Sequence, residues 1–305
     1  MRSPIKKGIN IWSFPASLTI GQCMELAKDA GFEGIELALS ADGPLILNST
    51  ETDVLKIKNE AVQIGVELCS LATGLYWQYS LTSDRPDIRE RAKQVTKRQI
   101  DIAALLGIDC VLVCPGAVGV DFLAEDVVPD AAPGAFFTGS EIIDYDIAYE
   151  RARDAFMELA PYAENKNVII GVENIWNKFL LSPLETRQFL DEIHSPYVAA
   201  FFDVGNVVQY GYPEQWIRIL GGRIKKVHFK DYRRGAGGLP GFVDLLAGDV
   251  DWAAVMGAFE KIGYSGWACA EMCPPYKQHA EQLIYNTSAA MDSILGRRDG
   301  GKNGG

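Results

Sequence analysis

The chain has 305 residues, 48% of them hydrophobic, with a formal net charge of −11. That is enough apolar material for one large core, while the acidic balance and the short basic runs (Arg223, Lys225 and Lys226, then Arg233 and Arg234) argue against nucleic acid or an anionic membrane surface as partner. No apolar run approaches the roughly 20 residues that span a bilayer, and the start MRSPIKKGINIWSF lacks the apolar core of a signal peptide, so a cytoplasmic protein is expected.

Strand-like and helix-like patterns alternate from one end to the other. KGINIWSF and GIELAL are the first two strands, separated by the helical pattern LTIGQCMELAKDAGF. The helix ETDVLKIKNEAVQIG leads to the strand VELCSLA, and PDIRERAKQVTKRQIDIAALLG leads to CVLVCPG. IDYDIAYERARDAFMELAPYAENKN precedes VIIGVEN, SPLETRQFLDEIHSP precedes VAAFFDVGN, and YPEQWIRILGG precedes KKVHFKD. The chain closes with VDWAAVMGAFEKIGYSG, the strand WACAEMC and a last helix, HAEQLIYNTSAAMDSIL. Strands that each lead into a helix predict a parallel sheet, and at this length a single-domain (β/α)8 TIM barrel over residues 1–296, with a disordered tail at 297–305. Gly31, Gly65, Gly107 and Gly263 follow helical runs where a left-handed cap suits glycine, and Ser182-Pro183 with Glu185 reads as a helix start.

Two strand-to-helix loops, at about Ala117 to Ile142 and at RRGAGGLPGFVDLLAGD, are long enough to shape a pocket on the active face of such a barrel. The cysteines Cys23, Cys69, Cys110, Cys114, Cys269 and Cys273 form no CxxC pair. Cys110 and Cys114 would lie roughly 13 Å apart along a strand, so free buried thiols are expected.

Barrel strands should read as apolar, yet four late ones end in an acid or a histidine: Glu173, Asp203, His228 and Glu271. Three carboxylates at one barrel mouth would repel unless compensated. With one histidine they form a mixed oxygen and nitrogen set suited to one divalent ion (Mn, Mg, Co or Zn) with room for substrate oxygens. Side-chain alternation puts His228 and Lys230 on the same face, toward the mouth, and Phe229 on the other.

These motifs, V-E-N at Glu173, F-D-V-G-N at Asp203, H-F-K-D at His228, G-D-V-D-W from Gly248 to Trp252 and A-E-M at Glu271, resemble the xylose-isomerase-like group of sugar and sugar-phosphate isomerases and epimerases. The combination is similar to L-ribulose-5-phosphate and related ketose 3-epimerases. The resemblance runs from GINIWSF to the last helix and implies that the four residues ligate the metal, with Glu173 and Glu271 doubling as acid/base groups. Two positions depart from the free-ketose 3-epimerase pattern. Asn206 stands where those enzymes carry a histidine, and Phe179 where they carry a second glutamate.

Further substrate-binding candidates are Asn206, Lys230, Arg234, Trp12 and Trp77. Lys230 either binds a substrate oxygen or pairs with Glu271 or Asp203. Arg234 lies where related epimerases have a substrate-contacting arginine, and with Arg233 and the neighbouring glycines could accept a phosphate. Trp12 with Ser13, and Trp77 with Tyr76, could wall a sugar, whereas His194 and His279 read as surface residues.

The implied chemistry is removal of a proton next to a carbonyl through an enediolate stabilised by the cation. Return of a proton on the opposite face gives a ketose or ketose-phosphate 3-epimerase. Return to the adjacent carbon gives an aldose–ketose isomerase, and loss of a β-hydroxyl gives an inosose-type dehydratase. A DNA-repair barrel needs several histidines for three zinc ions, and the chain has three His in all. A non-catalytic sugar-binding barrel is the remaining alternative. The expected ligand is a small sugar or sugar phosphate, and a homo-oligomer is compatible with the sequence.

Overall fold

The computed structural model describes residues 3–120, 141–272 and 275–297. Eight parallel strands close into a barrel: β1 Lys6–Asn10, β2 Gly34–Leu39, β3 Glu67–Thr73, β4 Cys110–Val113, β5 Ile169–Glu173, β6 Val198–Asp203, β7 Ile224–Phe229 and β8 Trp267–Ala270. Each hydrogen-bonds to its sequence neighbours, and β1 pairs with β8 to shut the ring. The helices are α1 Ile20–Asp29, α2 Glu51–Ile64, α3 Pro86–Leu106, α4 Tyr145–Lys166, α5 Pro183–Ile193, α6 Pro213–Leu220, α7 Trp252–Lys261 and α8 Ala280–Ile294. This is the single (β/α)8 barrel that the alternating pattern predicts.

Local chemistry sets the helix ends. Thr19 and Thr50 start α1 and α2 with reciprocal capping boxes, and Ser182 Oγ accepts the Glu185 N–H at the start of α5. α3, α5 and α6 each begin at a proline, whose missing N–H costs nothing there. Gly65 and Gly107 end α2 and α3 at φ 79° and 83°, and Gly31 and Gly263 are likewise left-handed.

Two apolar zones follow from strand alternation. The larger lies between strands and helices, where Phe202 stacks on Trp216 and Phe229 packs on Trp252 and Phe259. The smaller fills the lumen with Ala72, Cys110, Leu112 and Phe201, above a floor of Cys69, Trp267 and Cys269. Gly34 makes room for this filling, because a Cβ there would lie 2.6 Å from the Trp267 ring. Cys23, Cys69, Cys110, Cys114 and Cys269 are buried free thiols, while Cys273 lies outside the described residues.

Most of the predicted loop from 117 to 142 also lies outside the described residues, as does 298–305. Arg297, assigned from sequence to the tail, is instead bonded to Glu33 and to the Ile5 carbonyl at the foot of the barrel. The loop after β7 has more structure than its glycine content suggests. Asp231–Tyr232 and Phe242–Val243 pair antiparallel, with the tip turning at Gly237 and Gly238. Among the described residues, no helix is long and apolar enough to cross a membrane.

Candidate metal centre

The closed ring brings together four side chains from four strand ends. Glu173 ends β5, Asp203 ends β6, His228 lies beside Asp203 on β7, and Glu271 follows β8. All four are buried. One ligand atom from each can be chosen so that the four lie within 4.8 Å of one another. His228 Nδ1 stands 3.2 Å from Glu271 Oε2 and 3.8 Å from both Glu173 Oε1 and Asp203 Oδ2.

The donor set fits a divalent cation. Ligand bonds of about 2.0–2.2 Å put ligand atoms on opposite sides of an ion about 4.2 Å apart, close to the spread of the cluster. Among the described residues, three buried polar atoms lack a hydrogen-bond partner: Asp203 Oδ2, His228 Nδ1 and Glu271 Oε2. They belong to the same cluster, and orphans of this kind are costly without a partner. Lys230 Nζ lies 2.6 Å from Glu271 Oε2 and 3.3 Å from Asp203 Oδ2, but these are ion pairs without hydrogen-bond alignment.

The electrostatics divide the two glutamates. Burial, with Glu271 and Asp203 nearby, pushes the Glu173 carboxyl up to about 7 against the opposing influence of the His228 ring. Burial would push Glu271 up too, but Lys230 and His228 outweigh it and hold that carboxyl far below the usual range. Asp203 is raised, chiefly by burial, with Lys230 opposing. Burial would lower His228, yet Glu36 and Glu271 hold it well above its ordinary value. A cation entering this site would displace the His228 proton and, below about pH 7, that of Glu173 as well. Mn²⁺ affinity is therefore expected to tighten as pH rises, through about 7 for the Glu173 proton and on above the ordinary histidine range for the His228 proton. Calorimetry across that range checks this, and a pH-independent Kd would put the cation elsewhere.

The surrounding residues brace the cluster. Asn174 and Asp203 exchange hydrogen bonds, Asn174 Nδ2 donating to the Asp203 carbonyl and the Asp203 N–H to Asn174 Oδ1. Asn206 donates its backbone N–H to Asp203 Oδ1 and its amide to the Asn174 carbonyl, leaving Oδ2 directed at the cluster. Asn206, expected from sequence to contact substrate, is thus engaged in holding Asp203. Lys230 realises the pairing half of its expectation, with both Asp203 and Glu271. Trp12 packs against the lumen filling of Ala72, Cys110, Leu112 and Phe201. Trp77 is half-buried in a short 3₁₀ turn after β3, whereas Tyr76 faces α3, bonded to Thr96 and Gln99. Arg234 turns to the loop after β6, donating to the Val208 and Gly211 carbonyls beside the Tyr212 ring, which is a wall-to-wall tie. His194 and His279 are exposed at helix ends.

Phe179 explains one departure in the motif. It is buried among Tyr145, Tyr149 and Phe189, edge to face, and anchors the loop after β5 in the helix layer. Lys178 and Leu180 flank it at φ 55° and 53°, an uncommon conformation for residues with a Cβ.

Two residues went unread in the sequence. Glu36 accepts hydrogen bonds from Asn10 and Ser70 and faces His228 Nε2 at 2.7 Å. A single carboxylate in the otherwise apolar GIELAL was its signal. Asp231 accepts the N–H groups of Tyr232, Leu246 and Val250 and the Trp252 indole N–H. The G-D-V-D-W run is the other half of this knot. A Cβ at Gly248 would strike Asp231, and Asp251 caps α7.

Comparison with known proteins places the molecule. The profile of the xylose isomerase-like TIM barrel family matches residues 24–291. A Haemophilus influenzae protein provisionally named L-ribulose-5-phosphate 3-epimerase is 22% identical over 281 residues, 88% of each chain. The 2-epi-5-epi-valiolone 7-phosphate 2-epimerase of an Actinoplanes species is 26% identical over 194 residues, covering 64% of this chain and 60% of that one. The solved structure of an L-ribulose 3-epimerase superposes with a TM-score of 0.73 at 18% identity, covering 96% of this chain and 95% of that one.

Proposed function

Because the chain belongs to the xylose isomerase-like TIM barrel family, we propose that it is an isomerase-class enzyme, a divalent-metal-dependent ketose or ketose-phosphate 3-epimerase. The observation that carries this is the convergence of Glu173, Asp203, His228 and Glu271, with two glutamates whose acidities are driven apart. Relatives named as epimerases support it. A bound Mn, Mg, Co or Zn ion would polarise the carbonyl and offset the charge of the enediolate.

The protein's own groups would do the rest. Glu271, held ionised by Lys230 beside it, takes the proton from the carbon beside the carbonyl. Glu173, the second glutamate of the cluster, returns one to the other face. The reverse substrate exchanges the two roles. One C–H bond breaks and one forms at the same carbon, so the configuration inverts. Lys230 offsets charge beside the reacting oxygens, and Trp12 walls the mouth. The substrate would be a free or phosphorylated sugar in the cytoplasm.

Turnover in heavy water with Mn²⁺ and a panel of ketoses and ketose phosphates tests this. Deuterium is expected at the inverted carbon of the product. Hydrogen transferred to the adjacent carbon would mean an isomerase, and a dehydrated product a dehydratase. An inverted product that retains its original hydrogen would sink the two-base assignment.

A further inference from the structure

Glu36 is a fully buried acid in a strand whose neighbours are apolar, and it is spent on the back of one ring. Its Oε1 lies 2.7 Å from His228 Nε2, on the ring edge opposite Nδ1, which faces Glu173, Asp203 and Glu271. We propose that Glu36 is a positioning residue of the metal centre: its carboxylate pins the His228 ring and its Nε2–H, so that the Nδ1 lone pair is presented to the cation. The inference rests on reading the four-residue cluster as a metal site.

Three features carry it. First, Glu36 is itself held as an acceptor. Asn10 Nδ2 donates to Oε1 and Ser70 Oγ donates to Oε2 at 2.5 Å, from the strands on either side. With donors already on both oxygens, the role left to His228 Nε2 is that of donor. Second, the sheet is bent to make this layer. The β2–β3 register runs Ile35↔Leu68 and then Glu36↔Ser70, so Cys69 is an extra residue that brings Ser70 opposite Glu36. Bulges that re-aim a side chain gather next to working sites. Third, Phe201 packs edge-on against the His228 ring at 4.6 Å, limiting its rotation from the side. A lone carboxylate in a lumen is expensive to bury, and an apolar residue would serve the strand as well. Its partner, orienting a ring nitrogen away from a metal, is the arrangement that tunes ligand basicity and tautomer.

The test uses the full chain with Mn²⁺ as probe. Glu36→Gln should weaken Mn²⁺ binding by about 10–100-fold in calorimetry, with far-UV circular dichroism unchanged. Ser70→Ala, which keeps the carboxylate but frees one of its anchors, should weaken it less. Imidazole ¹⁵N spectra give a readout on the wild type itself, since the chain has three His and the other two are exposed. A diamagnetic Zn²⁺-loaded sample should show His228 with Nε2–H and a bare Nδ1. The proposal is overturned if Glu36→Gln binds Mn²⁺ as tightly as wild type, including the case where it only lowers the melting temperature. A proton on Nδ1 of the loaded wild type overturns it too, and decides the matter should Glu36→Gln not fold. Wild type that binds neither ion would remove the metal site and this inference together, a result distinct from a loss confined to the Glu36 variant.

Discussion

Glu173→Gln is expected to cut kcat by about 10²–10⁴-fold at saturating Mn²⁺ while leaving the barrel folded. The amide keeps the shape and one oxygen for a cation but can neither accept nor return a proton. The fold should tolerate it because Glu173 sits at the top of β5 where burial, aided by Glu271 and Asp203, raises its carboxyl to about 7. Removing one negative charge there relieves repulsion. Metal content should stay near one ion per chain when Mn²⁺ is in excess. Turnover within tenfold of wild type, measured with metal content on the same sample, would show that Glu173 is not a proton carrier.

Asp203→Ala and His228→Ala should each lose most of the bound metal, and with it essentially all turnover, as should exhaustive chelation of the wild type. Both residues are fully buried at the junction of the cluster, and each supplies an atom that has no hydrogen-bond partner among the described residues. Excising Asp203 also leaves Lys230 with Glu271 alone, so Asp203→Asn is the gentler control. Elemental analysis of the purified variants reads the outcome. Full occupancy in both alanine variants would dismantle the four-residue assignment.

The fold was legible because both periodicities are strong and the barrel has few exceptions to them. The four cluster residues were legible for the opposite reason, as polar residues where strand ends should be apolar. What escaped reading is what the ring closure creates. Glu36 and His228 are 192 positions apart and meet only because β2 and β7 face each other across the lumen. Asn206 and Arg234, read from sequence for substrate contact, also hold the walls, the one through Asp203 and Asn174, the other through Val208 and Gly211. Phe179 reads as a missing acid in the motif, whereas in three dimensions it is an aromatic anchor, satisfied by rings from α4 and α5 that no local pattern announces.

The knot around Asp231 has a bearing on how such a barrel can diversify. Its four donors close the base of the β7 loop beneath the hairpin, so the loop starts and ends on one carboxylate. At Gly235 a side chain would meet nothing within 4 Å, whereas Gly237 and Gly238 turn the tip at positive φ. Length and composition can drift at that tip, as they do wherever a loop ends in open solvent, without disturbing the chemistry below. The four-residue cluster and the roof above it can thus vary separately, the one fixed by strand ends and the other by a loop whose two ends are pinned.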